Sequence, residues 1–233
     1  MAQSTNNILV GAANVAVGNY SSDYVASSDG LWSSIKAEST ITGTPKNFRN
    51  WSIFRAAGAS GYAATAVVTP HGGTGTCTFR DVGLTQEGVE VQYQPDFGEV
   101  EVDQILDAAK LFKQRMTVSV ATTFAEATLD NLLAVWAQSD STKTVETVGT
   151  NVALVPGELG QAPAEKALFF VGNAPGTAVT YKQRVYLAAR ALSVESSTHS
   201  MKRSEATVFP VTFRLLPDTA ASYSAYGRVV DVG

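Results

Sequence analysis

The sequence predicts a mainly β protein: a β-sandwich or barrel with one packed amphipathic α-helix, at about residues 128–138, and long loops. Three observations carry this reading. Apolar and polar residues alternate with period two over most patterned segments, the signature of half-buried strands. Clusters of turn-forming residues separate those segments at short intervals. One stretch departs from the alternation: Leu129, Leu132, Leu133 and Trp136 fall at i, i+3, i+4 and i+7 and draw one apolar stripe down a helix. The 233 residues suffice for one large domain to bury a core without disulfides. Residues 1–233 read as a single domain, with 19–75 a loop-rich insertion or extension within it.

Taken in order, Ile8 to Val17 is a first strand, rich in small residues and free of charge. Asn19 to Asn47 is polar and Ser-rich, with turn signals at Ser28-Asp29-Gly30 and Thr42-Gly43-Thr44-Pro45, and reads as a surface loop. Trp51 to Ala56 is a short strand candidate, and Gly58 to Gly75 a loop around one strand at Ala63 to Thr69. Next comes the expected hairpin. Val89, Val91 and Tyr93 alternate with Glu90, Gln92 and Gln94, Pro95-Asp96-Phe97-Gly98 supplies turn chemistry, and Val100 and Val102 alternate with Glu99, Glu101 and Asp103 on the return. Its two faces are then one apolar and one acidic. Met116 to Ala121 is another half-buried strand. For the helix, Thr128 is a better N-cap than Thr123, because the strand pattern runs up to Phe124. Strands follow at Thr144 to Val155, Leu168 to Val171, Val179 to Leu192 and Ala206 to Leu215, with Gly172 to Gly176 as punctuation. Pro210 places its strand at an edge or a bulge.

Charge is sparse. Only 16% of residues are Asp, Glu, Lys or Arg and the net charge is -4, against roughly 25% in an ordinary globular chain. The composition excludes wholesale disorder, which needs the opposite bias, and a basic nucleic-acid-binding surface. Ser, Thr, Ala and Gly take the place of charge and suit faces that pack against other subunits, so self-association is expected. No apolar run approaches the roughly 18 residues of a membrane span, and the first residues lack the pattern of a secretory signal. The single cysteine, Cys77, cannot form an intrachain bridge and fits a reducing cytoplasm.

Catalytic material is thin. His71 and His199 are the only histidines, and with Cys77 they show no ligand spacing, so no metal, cofactor or catalytic group is expected. His71-Gly72-Gly73-Thr74-Gly75-Thr76 lacks the lysine and the following helix of a phosphate-binding loop. The acidic residues Glu90, Glu99, Glu101 and Asp103 read as a solvated strand face, as paired carboxylates or as a repulsive lining. Lys182, Arg184, Arg190, Lys202 and Arg203 read as subunit salt-bridge partners or solvated charge.

Three stretches together resemble the major tail tube proteins of long-tailed bacteriophages, especially the non-contractile type. They are Val82 to Val91 leading into the hairpin, Phe124 to Leu132 carrying a strand into the helix, and the ending Phe209 to Asp218 with Tyr226 to Asp231. The resemblance covers roughly Val82 to Gly233. It implies a structural virion protein, assembled in the host cytoplasm, whose hexameric rings stack into a tube through which the genome enters the host. It implies as partners further copies of the chain, a tape measure protein, a tail terminator and distal tail proteins, with DNA only in transit. On this reading Glu90, Glu99, Glu101 and Asp103 are candidates for the lumen lining, or for a ring-to-ring surface meeting Lys182, Arg184 or Arg190. Ile8, Val10, Val15 and Val17, with Lys182, Arg184 and Arg190, are candidate inter-subunit contacts, the first four because an uncharged strand offers an open edge. The competing reading is a β-sandwich module binding carbohydrate or a surface receptor without polymerising, with Trp32, Trp51 and Tyr62 as stacking platform.

Overall fold

The computed structural model describes residues 13–19, 65–68, 77–100, 109–139, 143–146, 149–154, 159–160, 163–177, 180–217 and 226–232. Among them the chain is mainly β. The strands are β1 (Asn14–Asn19), β2 (Thr65–Val68), β3 (Cys77–Asp81), β4 (Thr85–Val100), β5 (Lys110–Phe124), β6 (Lys143–Glu146), β7 (Gly149–Val152), β8 (Lys166–Thr177), β9 (Thr180–Ser193), β10 (Phe209–Leu215) and β11 (Arg228–Val232). One helix, α1 (Leu129–Val135), follows β5. β6 and β7 pair with each other, and the other nine strands form one sheet in the order β2-β3-β1-β8-β9-β10-β5-β4, with β11 added on β9.

That sheet is rolled. β4 stands five places from β1, roughly 24 Å in a flat sheet, yet Thr85 Oγ1 donates to the Ala13 carbonyl at 3.4 Å. β9 forks to permit the turn: β8 lines one side, while β10 takes Ala191–Ser193 and β11 takes Gln183–Leu187 on the other. The core fills the roll, with Val15 and Val17, Val118 and Phe124, Leu168 and Phe170, Phe209 and Phe213 in one cluster. Lys166 to Val171 is buried on both faces of β8, which is why Ala167-Leu168-Phe169-Phe170-Val171 reads as a continuous apolar run instead of an alternating one.

The helix begins as its sequence predicts. Thr128 is the N-cap, and its hydroxyl accepts from the Asn131 N–H at 3.2 Å. The stripe is rotated from expectation: Leu133 is fully buried and Leu132 and Trp136 half-buried, but Leu129 is 39% exposed, and Asn131 takes a buried position instead. Leu133→Ala is expected to cost about 2–5 kcal/mol by opening a cavity, read as a lowered thermal midpoint, whereas Leu129→Ala should shift it far less.

Several expectations are corrected. Pro95 to Gly98 does not turn the chain: β4 runs unbroken from Thr85 to Val100 and pairs with β5, so the hairpin's reversal lies after Val100. Gly98 has no positive φ, and the ends of the Gln114 and Phe112 side chains lie over the position its Cβ would take. The left-handed backbone occurs earlier, at Glu87 (φ 65) and Gly88 (φ 76), where two extra residues bulge from β4 and the Thr122 hydroxyl donates to the Gly88 carbonyl at 2.8 Å. Gly172 to Gly176 likewise lies inside β8. Pro210 matches its expectation locally, since β9 reaches only Phe213–Leu215 and leaves that end of β10 with β5 alone.

The first strand is not an open edge. β1 pairs with β3 on one side and β8 on the other, and Val15 and Val17 are 3% and 5% exposed. An inter-subunit role through the edge of β1 is therefore excluded by its position; its valines build the core. Deleting residues 1–18 removes most of an interior strand and is expected to abolish cooperative unfolding, read by calorimetry, rather than to leave a folded monomer. Ile8 and Val10 lie outside the described residues, as do Glu101, Asp103, Trp32, Trp51, Tyr62 and His71.

Candidate assembly surface

The root of the surface is a polar clamp. Asn131 is fully buried and uses its whole amide: Nδ2 donates to the carbonyls of Val82 at 2.9 Å and Glu126 at 2.8 Å, and Oδ1 accepts from Arg80 Nη1 at 2.7 Å. Glu126 Oε1 accepts from Leu84 N–H at 3.0 Å, and Asp81 Oδ1 accepts from Gly83 N–H at 2.9 Å. Gly83 (φ +84) lies against the Glu126 carboxylate with no room for a Cβ. These bonds hold residues 82–84, which join β3 to β4, onto the segment between β5 and α1. They fix the line on which β4 leaves the body.

From that root β4 and β5 run out together. β10 covers β5 only from Ser119 to Phe124, so from Lys110 to Val118 β4 is the sole partner of β5 among the described residues. The result is a two-stranded arm of roughly 30 Å. Its distal part exposes large apolar side chains: Tyr93 57%, Phe97 55%, Leu111 60% and Phe112 43%. The register assigns them to both sides. Tyr93, Phe97 and Glu99 share one face with Leu111 and Lys113; Glu90, Asp96 and Val100 share the other with Phe112 and Arg115. A lone two-stranded ribbon is marginally stable in water, and this one exposes large apolar side chains on both of its faces.

The register also revises the acidic face. Glu90 and Glu99 stand on one strand an odd number of residues apart, so they point to opposite sides, and Val100, 42% exposed, lies on the side of Glu90 instead of in the core. Glu90 and Glu99 cannot line one bore together.

Where the arm meets the body there is an open groove of about 320 Å³, almost wholly apolar, between Tyr93 and Met116 of the arm and Tyr186, Tyr226 and Val229 of the body. Tyr226 OH donates to the Met116 carbonyl at 3.0 Å and spans the arm root. Gly227 lies so close to the Leu187 carbonyl that no side chain fits. Phe170 stacks on Tyr186 at 4.7 Å behind the groove.

Of the basic candidates, Arg184, Arg190 and Lys202 find carboxylate partners within the chain. Arg184 makes a two-point pair with Asp231, 2.6 and 2.8 Å, tying β9 to β11. That carboxylate raises the guanidinium pKa further above its already high value, so Arg184 stays charged and confers no pH sensitivity. With both side chains about a third exposed, Asp231→Asn is expected to lower stability by about 1 kcal/mol or less. Arg190 pairs with Glu165 at 2.6 and 2.7 Å and donates to the Pro217 carbonyl. Lys182 stands in β9 opposite Ala174 of β8. His199 is half-buried and packs between Trp136 at 6.4 Å and Phe209 at 5.0 Å.

Among the described residues no group of three or more His, Cys, Asp or Glu is placed to hold a metal ion. No helix among them is long and apolar enough to cross a membrane. Compared with protein-family models and with curated proteins, the chain finds no match.

Proposed function

We propose that this chain is the ring-forming subunit of a phage tail tube, a structural virion protein whose stacked rings conduct the genome into the host. The observation that carries the reading is the β4–β5 arm, a long ribbon with exposed apolar side chains on both faces and a strand edge without a partner among the described residues. Such a ribbon is suited to assembly and unsuited to solvent. The supporting features are the mainly β fold with a single helix, the sparse charge of the sequence, and the resemblance of the stretches around β4, α1 and β10 to tail tube proteins. Neighbouring copies supply the cover for the arm. The tape measure, terminator and distal tail proteins are the further partners this role entails, and the site of action is the virion.

Sedimentation velocity over a concentration series tests the proposal. A tube subunit passes from a 24.6 kDa monomer to a ring of several copies and then to heterogeneous large species. A single monomer peak at every concentration would favour the binding module instead.

A further inference from the structure

The roll is open where the arm leaves it, and the opening is longer than the groove of about 320 Å³ alone. A second cavity of about 180 Å³ adjoins that groove and shares Val91, Phe170 and Tyr186 with it. Each strand gives the same order. Along β4, Val89 lines the smaller cavity, Val91 both and Tyr93 the larger; along β9 the sequence is Arg184, Tyr186, Ala188. The two cavities therefore form one trough that follows β4 for roughly 13 Å. Its lining includes Arg184 and Arg228 and no Asp or Glu, in a chain of net charge -4. Lys113 adds a third cation at the arm end, where its Nζ donates to the Tyr93 hydroxyl at 3.2 Å and lies 2.8 Å from Met116 Sδ. Asp231 answers the charge of Arg184, whereas both of these Lys113 partners are neutral.

We propose that the trough binds a single-chain fatty carboxylate, its hydrocarbon tail lying along β4 over Val91, Phe170 and Tyr186 and its carboxylate accepting from Lys113 Nζ. Shape favours a chain over a disc, because the trough runs along the strands instead of widening between them. Its volume falls at the lower end of the roughly 300–1,000 Å³ of small-molecule sites. The walls favour a hydrocarbon over a peptide. A peptide brings an amide and a carbonyl at every residue, each needing a partner, and the larger groove is almost wholly apolar. Even the Tyr226 hydroxyl on its wall is committed to the Met116 carbonyl. Charge sets the sign of the head group. A carboxylate finds Lys113 and Arg228 at the arm end, while a cationic head finds no carboxylate in the lining. The tail supplies the affinity, roughly fourfold for each CH₂ removed from water. An exposed ion pair adds little and serves to orient the ligand. The site lies within one copy of the chain, so it holds whether or not copies associate.

Calorimetric titration of the dilute full chain tests it, with decanoate and dodecanoate as probes below their micelle concentrations and dodecyltrimethylammonium as the control for charge. One dodecanoate should bind per chain, about tenfold or more tighter than decanoate. The cationic control should bind several-fold more weakly, and saturating dodecanoate should raise the thermal midpoint. Val91→Glu sets a carboxylate in the trough at a position already 43% exposed, so it should melt like wild type and lose dodecanoate binding. Lys113→Glu should keep the dependence on chain length and turn the preference towards the cation. No saturable binding, equal affinity for the two carboxylates, or a wild-type preference for the cation would overturn the proposal, and none of these readouts needs a variant to fold. Unaltered binding by a normally melting Val91→Glu chain would overturn it as well. Because no copy needs to meet another, such a failure leaves the assembly reading untouched.

Discussion

Removing residues 94–117 and joining Tyr93 to Val118 through an Asn-Gly turn is expected to yield a folded protein that no longer associates at any concentration. Tyr93 and Val118 are cross-strand partners, so a two-residue turn fits between them. The residues that fill the roll, from Val118 through Phe124 and onward, remain in place. The excised part contributes Met116 at the margin of the core and the carbonyl that accepts from Tyr226. A loss of about 1–2 kcal/mol is therefore expected, against a complete loss of large species in sedimentation. A trimmed chain that assembled like the full one would remove the arm from the account.

Asn131→Leu is expected to be among the most destabilising single substitutions outside the apolar core. Leucine fills a similar volume but strands the buried Val82 carbonyl and takes one bond each from the Glu126 carbonyl, which keeps the Thr128 N–H, and from Arg80, which keeps the Asp81 carbonyl. The stranded buried carbonyl costs about 1–3 kcal/mol and the two other lost bonds about 0.5–1.5 kcal/mol each, so the total is roughly 2–5 kcal/mol out of the 5–15 kcal/mol typical of a domain. Chemical denaturation measures it. Asn131→Asp keeps an acceptor for Arg80 and loses both donors, so its midpoint should fall between those of wild type and Asn131→Leu. Because the clamp sets the root of β4, the Leu variant should also lose hydrogen-exchange protection first in β4 and only later in β8.

Local chemistry was legible in the sequence where it acts on its own neighbours. Thr128 caps α1 because a threonine hydroxyl three residues before an N–H needs nothing from elsewhere. Pro210 weakens its strand on one side for a reason internal to proline. The strand character of β5, β9 and β10 likewise follows from short-range alternation, and that of β8 from a short continuous apolar run. Long-range facts were not legible. Pro95-Asp96-Phe97-Gly98 has the composition of a turn, and only the pairing with β5, which bulges at Gln114, shows it to be extended. The burial of β1 depends on β3 and β8, more than 50 and 140 residues away in the chain, and no pattern within Ile8 to Val17 could reveal two neighbours. Asn131 sits amid leucines in a helix, where a polar residue reads as solvent-facing. The signal that could have found it was the odd placement of an amide one turn after a capping threonine, close to the start of a strand-to-helix turn.

Negative-stain imaging of the purified, concentrated chain beside the arm-trimmed variant tests the central claim most directly. The account predicts rings with an open bore, stacked into tubes of uniform width, for the full chain, and dispersed single particles for the trimmed one. Dispersed particles in both samples, at concentrations far above those in an infected cell, would contradict it.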